Sequence, residues 1–164
     1  MAFKDLKTAV TTALVLVSPQ ESDLFQIKVD SSDFATGAVL SQQSMIDRKW
    51  HPVAFYSKSL SSVKQNYEIH DKKMLAIIHA LEEWRHFLEE ATHPVEIWTN
   101  HKNLKYFIMA KKLNHCQARW SLHLARFDFL LHHCPGRTMG KPDALSRRAD
   151  HGNRASNNEN IVFL

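Results

Sequence analysis

The sequence predicts an α/β protein, a mixed five-stranded sheet with helices packed on it. Two observations predict that class. Three strand-like runs follow one another between residues 25 and 56. A long helical period then gives way to strand, helices, strand and a last helix. With 164 residues the chain is long enough for one domain with a real core.

Each element has its own reason. Phe3, Leu6, Val10 and Ala13 share one stripe and predict an amphipathic helix over 1–17. Residues 18–23 are a polar connector. Phe25, Ile27 and Val29 alternate with Gln26 and Lys28, the pattern of a half-buried strand that delivers Asp30 at its end. Residues 37–40 and 52–56 read as the next two strands, with Asp47, Arg48 and Lys49 as the polar turn of an antiparallel meander. Leu75, Ile78, Leu81 and Trp84 recur every three residues, with Ile77 and Leu88 nearby, and predict a helix over 67–88. Residues 95–98 form a short strand before the turn-like Thr99, Asn100 and His101. Helices are expected over 103–110 and 117–124. Residues 127–133 are the last strand, closed by Pro135 and Gly136. Asp143 stands near the N-terminus of a final helix. Residues 148–160 are polar and Asn-rich with no apolar period, which reads as a disordered linker. The expected units are 1–23, 24–148 and 149–164.

Composition narrows the function classes. The apolar fraction of 44% and charged fraction of 23% are ordinary for a globular protein. A net charge of +4 is compatible with a phosphate-backbone partner. Two cysteines, Cys116 and Cys134, are too few for a disulfide-stapled secreted domain. The longest apolar run, Ala13 to Val17, is too short to span a bilayer. No signal peptide is read at the N-terminus, so an intracellular location, cytoplasm or nucleus, and no membrane partner are expected. Four glycines leave no phosphate-cradling Gly-rich loop.

Six segments carry a resemblance. In order they are FQIKVDSSDFATGAVLSQQ, HPVAFYSKSLSS, NYEIHDKKMLAIIHALEEWRHFL, VEIWTNHKNLKYF, ARWSLHLARFDFLLHHCPG and PGRTMGKPDALSRR. Together they resemble the ribonuclease H domain of a gypsy-class LTR-retrotransposon reverse transcriptase, over residues 25–148. The resemblance implies a ribonuclease H-like fold and metal-dependent hydrolysis of the RNA strand of RNA·DNA hybrids. It implies Mg2+ as cofactor and the hybrid duplex as partner. It also implies that the chain is a piece of a longer polyprotein with polymerase and integrase parts, residues 1–23 being the end of the polymerase part.

That chemistry needs a nucleophilic water, a stabilised pentacoordinate phosphate and a leaving oxygen able to carry charge, and two magnesium ions about 4 Å apart supply all three. Magnesium prefers hard oxygen ligands, hence the four carboxylates of the resembled family. Asp30 matches the first position and Asp143 the last. The other two positions fall on Lys73 and Asn100. No neighbour rescues Lys73: the residues sharing its helix face are Ile69, His70, Ala76 and Ile77, while Asp71 and Glu68 lie elsewhere. Asn100 keeps an amide oxygen, which leaves Asp30, Asp143 and Asn100 as possible metal ligands. The formal charge of the site goes from −4 to −1, too little to hold two divalent ions, so hydrolysis is expected to be impaired or lost. The Lys73 ammonium is expected between Asp30 and Asp143, in the place of the missing metal. A catalytically dead domain that binds nucleic acid, or serves as an interaction module, is the alternative.

Other features have plainer readings. Cys116 with His115, and Cys134 with His132 and His133, lack zinc spacing and read as free thiols. Trp84, Phe87, Trp98, Phe107 and Trp120 read as core rather than as a base-stacking platform. Lys102, Lys105, Lys111, Lys112 and Arg119 form a basic stretch. It is either a solvated helix face or a contact with a duplex backbone by charge and shape.

Overall fold

The computed structural model describes residues 16–20, 22–101 and 114–147. Nearly all of the expected N-terminal helix, the helix over 103–110, Phe107 and the C-terminal linker lie outside the described residues. Five strands form one sheet: β1 (Phe25–Ser31), β2 (Ala35–Gln43), β3 (Trp50–Ser59), β4 (Val95–Thr99) and β5 (Phe129–His133). Their order is β3-β2-β1-β4-β5. The first three strands pair antiparallel, while β4 pairs parallel with both β1 and β5. This is the mixed sheet that the order of elements predicts.

Strand alternation decides which side chains form the core. Phe25, Ile27 and Val29 of β1 are buried, with Ala38 and Leu40 of β2, Ala54 and Tyr56 of β3, and Val95 and Ile97 of β4. Helix α2 (Ile69–Glu83) packs into this cluster through Met74, Ile77, Ile78 and Leu81, after a single helical turn, α1 (Ser62–Gln65). Strands β2 and β3 run well past the apolar residues 37–40 and 52–56. Ladder hydrogen bonds are made by the backbone, so Ser41, Gln42 and Gln43 pair as readily, beyond a register shift at Leu40 and Ser41.

The long helix is shorter than its period suggests. It ends at Trp84, whose backbone leaves the helical region with φ −103° and ψ 20°. The Trp84 indole turns into the core and meets the Tyr56 ring edge-on at 6.3 Å. The chain then resumes as the short α3 (Arg85–Leu88).

Helix α4 (His115–Leu124) starts two residues before its expected position. A capping box explains this: the Asn114 side chain accepts from Gln117 N at 2.8 Å, and the Gln117 side chain accepts from Asn114 N at 3.0 Å.

Of the expected aromatic core, Trp84 is buried, and Phe87 and Trp120 pack against the cluster. Trp98 departs from it. It lies one residue from each of the buried Ile97 and Thr99, hence on the opposite face of β4, and stacks on His132 at 4.7 Å. Helix α5 (Gly140–Ser146) covers that opposite face at Gly37. Among the described residues no helix is long and apolar enough to cross a membrane.

Candidate functional site

Asp30 is the penultimate residue of β1 and is almost closed to solvent, at 3% exposure. Its Oδ1 accepts from Ser31 N at 2.8 Å and from the Lys73 ammonium. Lys73, at 5% exposure, also donates to the Ser31 carbonyl at 3.0 Å. Residues 72–81 of α2 are all buried, so the Lys73 stem lies among apolar side chains and its charge is carried to the end of β1.

Two more pairs lie close by. Lys72 Nζ donates to Asp33 Oδ1 at 2.8 Å and, chiefly through that hydrogen bond, holds the Asp33 carboxyl below its usual value. Arg147 Nε donates to Asp143 Oδ1 at 2.6 Å. The same contact keeps the guanidinium firmly charged, with Asp30 and Asp33 adding to the effect.

The expected bridge from Lys73 to both aspartates is therefore corrected. Lys73 serves Asp30, and Asp143 is served by Arg147, four residues on and within reach on one helix face. Three carboxylates, Asp30, Asp33 and Asp143, are matched one to one by Lys73, Lys72 and Arg147. Over these six residues the formal charge is zero, while the four positions matched by the resemblance still sum to −1.

Helix α5 is fixed to the sheet by backbone acceptors. Ser57 Oγ donates to the Leu145 carbonyl at 2.7 Å and Ser32 Oγ to the Ser146 carbonyl at 2.5 Å. Gly37, paired with Asp30, makes the approach possible: a Cβ there would stand 2.5 Å from the Pro142 carbonyl oxygen. Asn100 follows β4, and the parallel register of Lys28 with Trp98 sets it level with Asp30. Among the described residues no hydrogen bond links its amide to Asp30 or Asp143.

Three histidines surround the same place. His70, one turn before Lys73, meets His101 edge-on at 5.7 Å and gives Nε2 to Glu68 Oε2 at 2.8 Å. Burial, then the nearby charges of His70, Lys73 and His133, push the His101 imidazole below its usual value. Arg119 lies on α4, away from this cluster in the chain. It lines a groove of about 430 Å3 with Lys64, Glu82, Trp120, His123 and Arg126. Lys102, Lys105, Lys111 and Lys112 lie outside the described residues. Cys116 and Cys134 are free thiols, one exposed and one buried.

Sequence reasoning missed Asp33, Lys72 and Arg147. The spacing of Asp143 and Arg147 is a readable i,i+4 signal, and the Lys72-Lys73 pair heading an apolar helix is another. The partners of those lysines follow only from how α2 crosses the β1–β2 turn.

The same fold is found in solved structures. The foamy viral protease-reverse transcriptase in complex with dsDNA matches with a TM-score of 0.60 at 12% identity, over 80% of this chain and 27% of that one. The same viral protein in complex with RNA/DNA hybrid matches at 0.57 and 13%, over 80% and 18%. RNase H1 from Halobacterium salinarum NRC-1 matches at 0.55 and 18%, over 80% and 99%. The fold is thus α/β and ribonuclease H-like.

Residues 20–127 match the family described as the RNase H-like domain found in reverse transcriptase, and the chain belongs to it. The Tf2-3 and Tf2-4 transposon polyproteins of Schizosaccharomyces pombe are each 40% identical to it over 151 residues, which is 91% of this chain. The chain spans 11% of the length of those relatives. It is an RNase H-like domain of the retrotransposon reverse-transcriptase kind.

The donor set does not suit the two magnesium ions that this fold family implies. Asp30, which the resemblance matches to the family's first carboxylate, already accepts an ammonium that enters from the helix. Among the described residues no three His, Cys, Asp or Glu side chains are grouped so as to hold a metal ion. Two divalent ions need an excess of negative charge around them, and here each carboxylate has its own cation.

Proposed function

We propose that this chain is the ribonuclease H-like domain of a gypsy-class LTR-retrotransposon reverse transcriptase that has lost metal-dependent hydrolysis. It engages the RNA·DNA hybrid without cutting it. The observation that carries this reading is the Lys73 ammonium on Asp30. An ammonium neutralises a carboxylate, but it can neither lower the pKa of a bound water nor clamp the attacking and leaving oxygens together. Asn100 removes a further charge from the same place.

Hybrid engagement draws on different support. A viral protein of this fold is described in complex with RNA/DNA hybrid, and this chain carries a net charge of +4. Backbone contact by charge does not need the hydrolytic centre. Arg119, with Lys102, Lys105, Lys111 and Lys112, is the proposed contact set. The polymerase and integrase parts of the same polyprotein are the proposed covalent partners, acting inside the cell in cytoplasm or nucleus.

The test is a hybrid-cleavage assay with Mg2+ or Mn2+ beside a gel-shift assay on the same duplex. The expected result is a retained hybrid and no product above buffer. Metal-dependent turnover that Asp30→Asn abolishes would overturn the loss of hydrolysis. Failure to shift the hybrid at low salt would overturn the binding role.

A further inference from the structure

Helix α4 lies along one flank of α2 and leaves a groove beside it. The seam on α2 is Asp71, Leu75, Ile78 and Glu82, spaced so that all share one helix face. Gln117 Nε2 donates to Asp71 Oδ1 at 3.1 Å toward one end, and His123 Nε2 stands 3.5 Å from Glu82 Oε1 toward the other. Along this seam the groove opens to about 430 Å3. We propose that it binds a single strand of nucleic acid, the one that continues past the end of the hybrid. This rests on the hybrid-engagement reading above and adds a second, differently built contact to it.

The charges of the lining fit a polyanion. The cations Lys64, Arg119 and Arg126 stand against one carboxylate, Glu82. Arg126 is taken by Glu89 at 2.8 Å, and Glu82 has His123. Among the described residues Lys64 and Arg119 have no carboxylate partner, so their charges are unmatched. They come from α1 and α4 and flank the groove from two elements. The positive field reaches the floor: after burial itself, Lys58 and Lys64 hold the His79 imidazole down.

The floor fits bases and sugars. Leu75, Ile78, Trp120 and Leu122 line it, and Leu122 is 75% exposed. Trp120 is steadied by Tyr67, with ring centroids 6.2 Å apart. Aromatic and aliphatic side chains between cations hold single strands without reading sequence, because every base has a π-face and every phosphate a charge. A duplex keeps its bases stacked inside and would offer this apolar floor mainly its backbone.

Position ties the groove to the old centre. Lys73 leaves α2 toward Asp30, while Leu75 and Ile78 lie two and five residues further on. That is at most about 8 Å along the helix axis. A strand that leaves a duplex seated at Asp30 passes the groove within a few nucleotides.

Fluorescence anisotropy at low salt, with EDTA to prevent cutting, tests this. The probes are a blunt RNA·DNA hybrid, the same hybrid with an overhang of about six nucleotides on the RNA or on the DNA strand, and the overhang as a free strand. At least one overhang should tighten binding about fivefold or more over the blunt hybrid, and the two arms show which strand is taken. Lys64→Glu and Leu122→Glu lie outside the proposed hybrid contact set. Each should remove that gain while blunt-hybrid affinity and the circular dichroism spectrum stay as in the parent. Blunt hybrid bound as tightly as both overhung forms would overturn the groove and leave hybrid engagement standing. Overhung hybrid bound with blunt hybrid unbound would do the reverse, and no probe bound would overturn both. Variants that weaken blunt and overhung hybrid alike would make the groove a duplex contact and overturn the proposal. A gain that a polyglutamate peptide competes away as well as the free strand does would assign the groove to an acidic peptide instead.

Discussion

Lys73 and Asp30 are both nearly closed to solvent, so removing either alone leaves its partner as a buried, unpaired charge. The pair itself adds little net stability, because the desolvation of two charges offsets most of their attraction. The asymmetry is measurable. Lys73→Met should cost about 3–5 kcal/mol in urea unfolding at neutral pH, and adding Asp30→Asn to it should recover most of the loss. A Lys73→Met variant as stable as the parent would mean that water reaches Asp30.

The same residues carry a gain-of-function expectation. Lys73→Glu with Asn100→Asp should restore metal-dependent hybrid cleavage, and either change alone should restore little. Groups that act as one unit are not additive, since each metal takes ligands from more than one element. A folded double variant that stays inert would place the loss of hydrolysis elsewhere in the domain.

At the scale of elements, α5 and α2 are held to the sheet by different devices. Helix α5 depends on a missing side chain. A Cβ on Gly37 would lie 2.5 Å from Pro142 O, 2.7 Å from Ser146 N and 2.9 Å from Leu145 Cβ. Two of these are backbone atoms of a helix that is also held by Ser57 and Ser32, so they cannot simply rotate away. Gly37→Ala should therefore cost about 1–3 kcal/mol, the usual range for overpacking, and should increase amide exchange in α5.

Helix α2 is tied to β2 by His79, whose Nδ1 lies 3.2 Å from Thr36 Oγ1. Burial, helped by Lys58 and Lys64, pushes this imidazole down to about 3 from an ordinary 6.5. Between those two values the unfolded chain takes up a proton that the folded chain refuses. Stability from this group is thus complete above pH 6.5 and is lost as pH falls toward 3. His79→Gln should flatten the pH dependence of urea unfolding in that window by on the order of 1 kcal/mol per pH unit. An unchanged slope would show that His79 protonates inside the folded protein.

For the whole molecule, the one-to-one pairing of three carboxylates with three cations supplies at this place the positive charge that a metal would otherwise bring. A ligand stabilises a protein only in proportion to its binding to the folded state. The thermal midpoint should accordingly be unmoved by millimolar Mg2+. The Lys73→Glu, Asn100→Asp variant should start lower without metal and rise when it is added. A gain of several degrees in the parent would mean that Mg2+ displaces Lys73 from Asp30.

The residues themselves determined the class of fold, because alternation in 25–29 and the three-residue recurrence in 75–84 state which side of each element is apolar. They also carry the resemblance that matches Asp30 and Asp143 to the family's first and last carboxylate positions and Lys73 and Asn100 to the other two. Those are identities at positions in a motif, and no structure is needed to read them. The tertiary structure decided what those residues do to one another. Where α2 ends depended on the Trp84 indole finding Tyr56, and which face Trp98 takes depended on the register of β4. Which aspartate Lys73 meets depended on the crossing of α2 over the β1–β2 turn, and Arg147, not Lys73, took Asp143. Pairings between residues 43 positions apart, such as Lys73 with Asp30, leave no trace in local periodicity. The physical reason is that local pattern sets how an element buries itself, whereas charge pairing is set by the distances that remain once all the elements have packed.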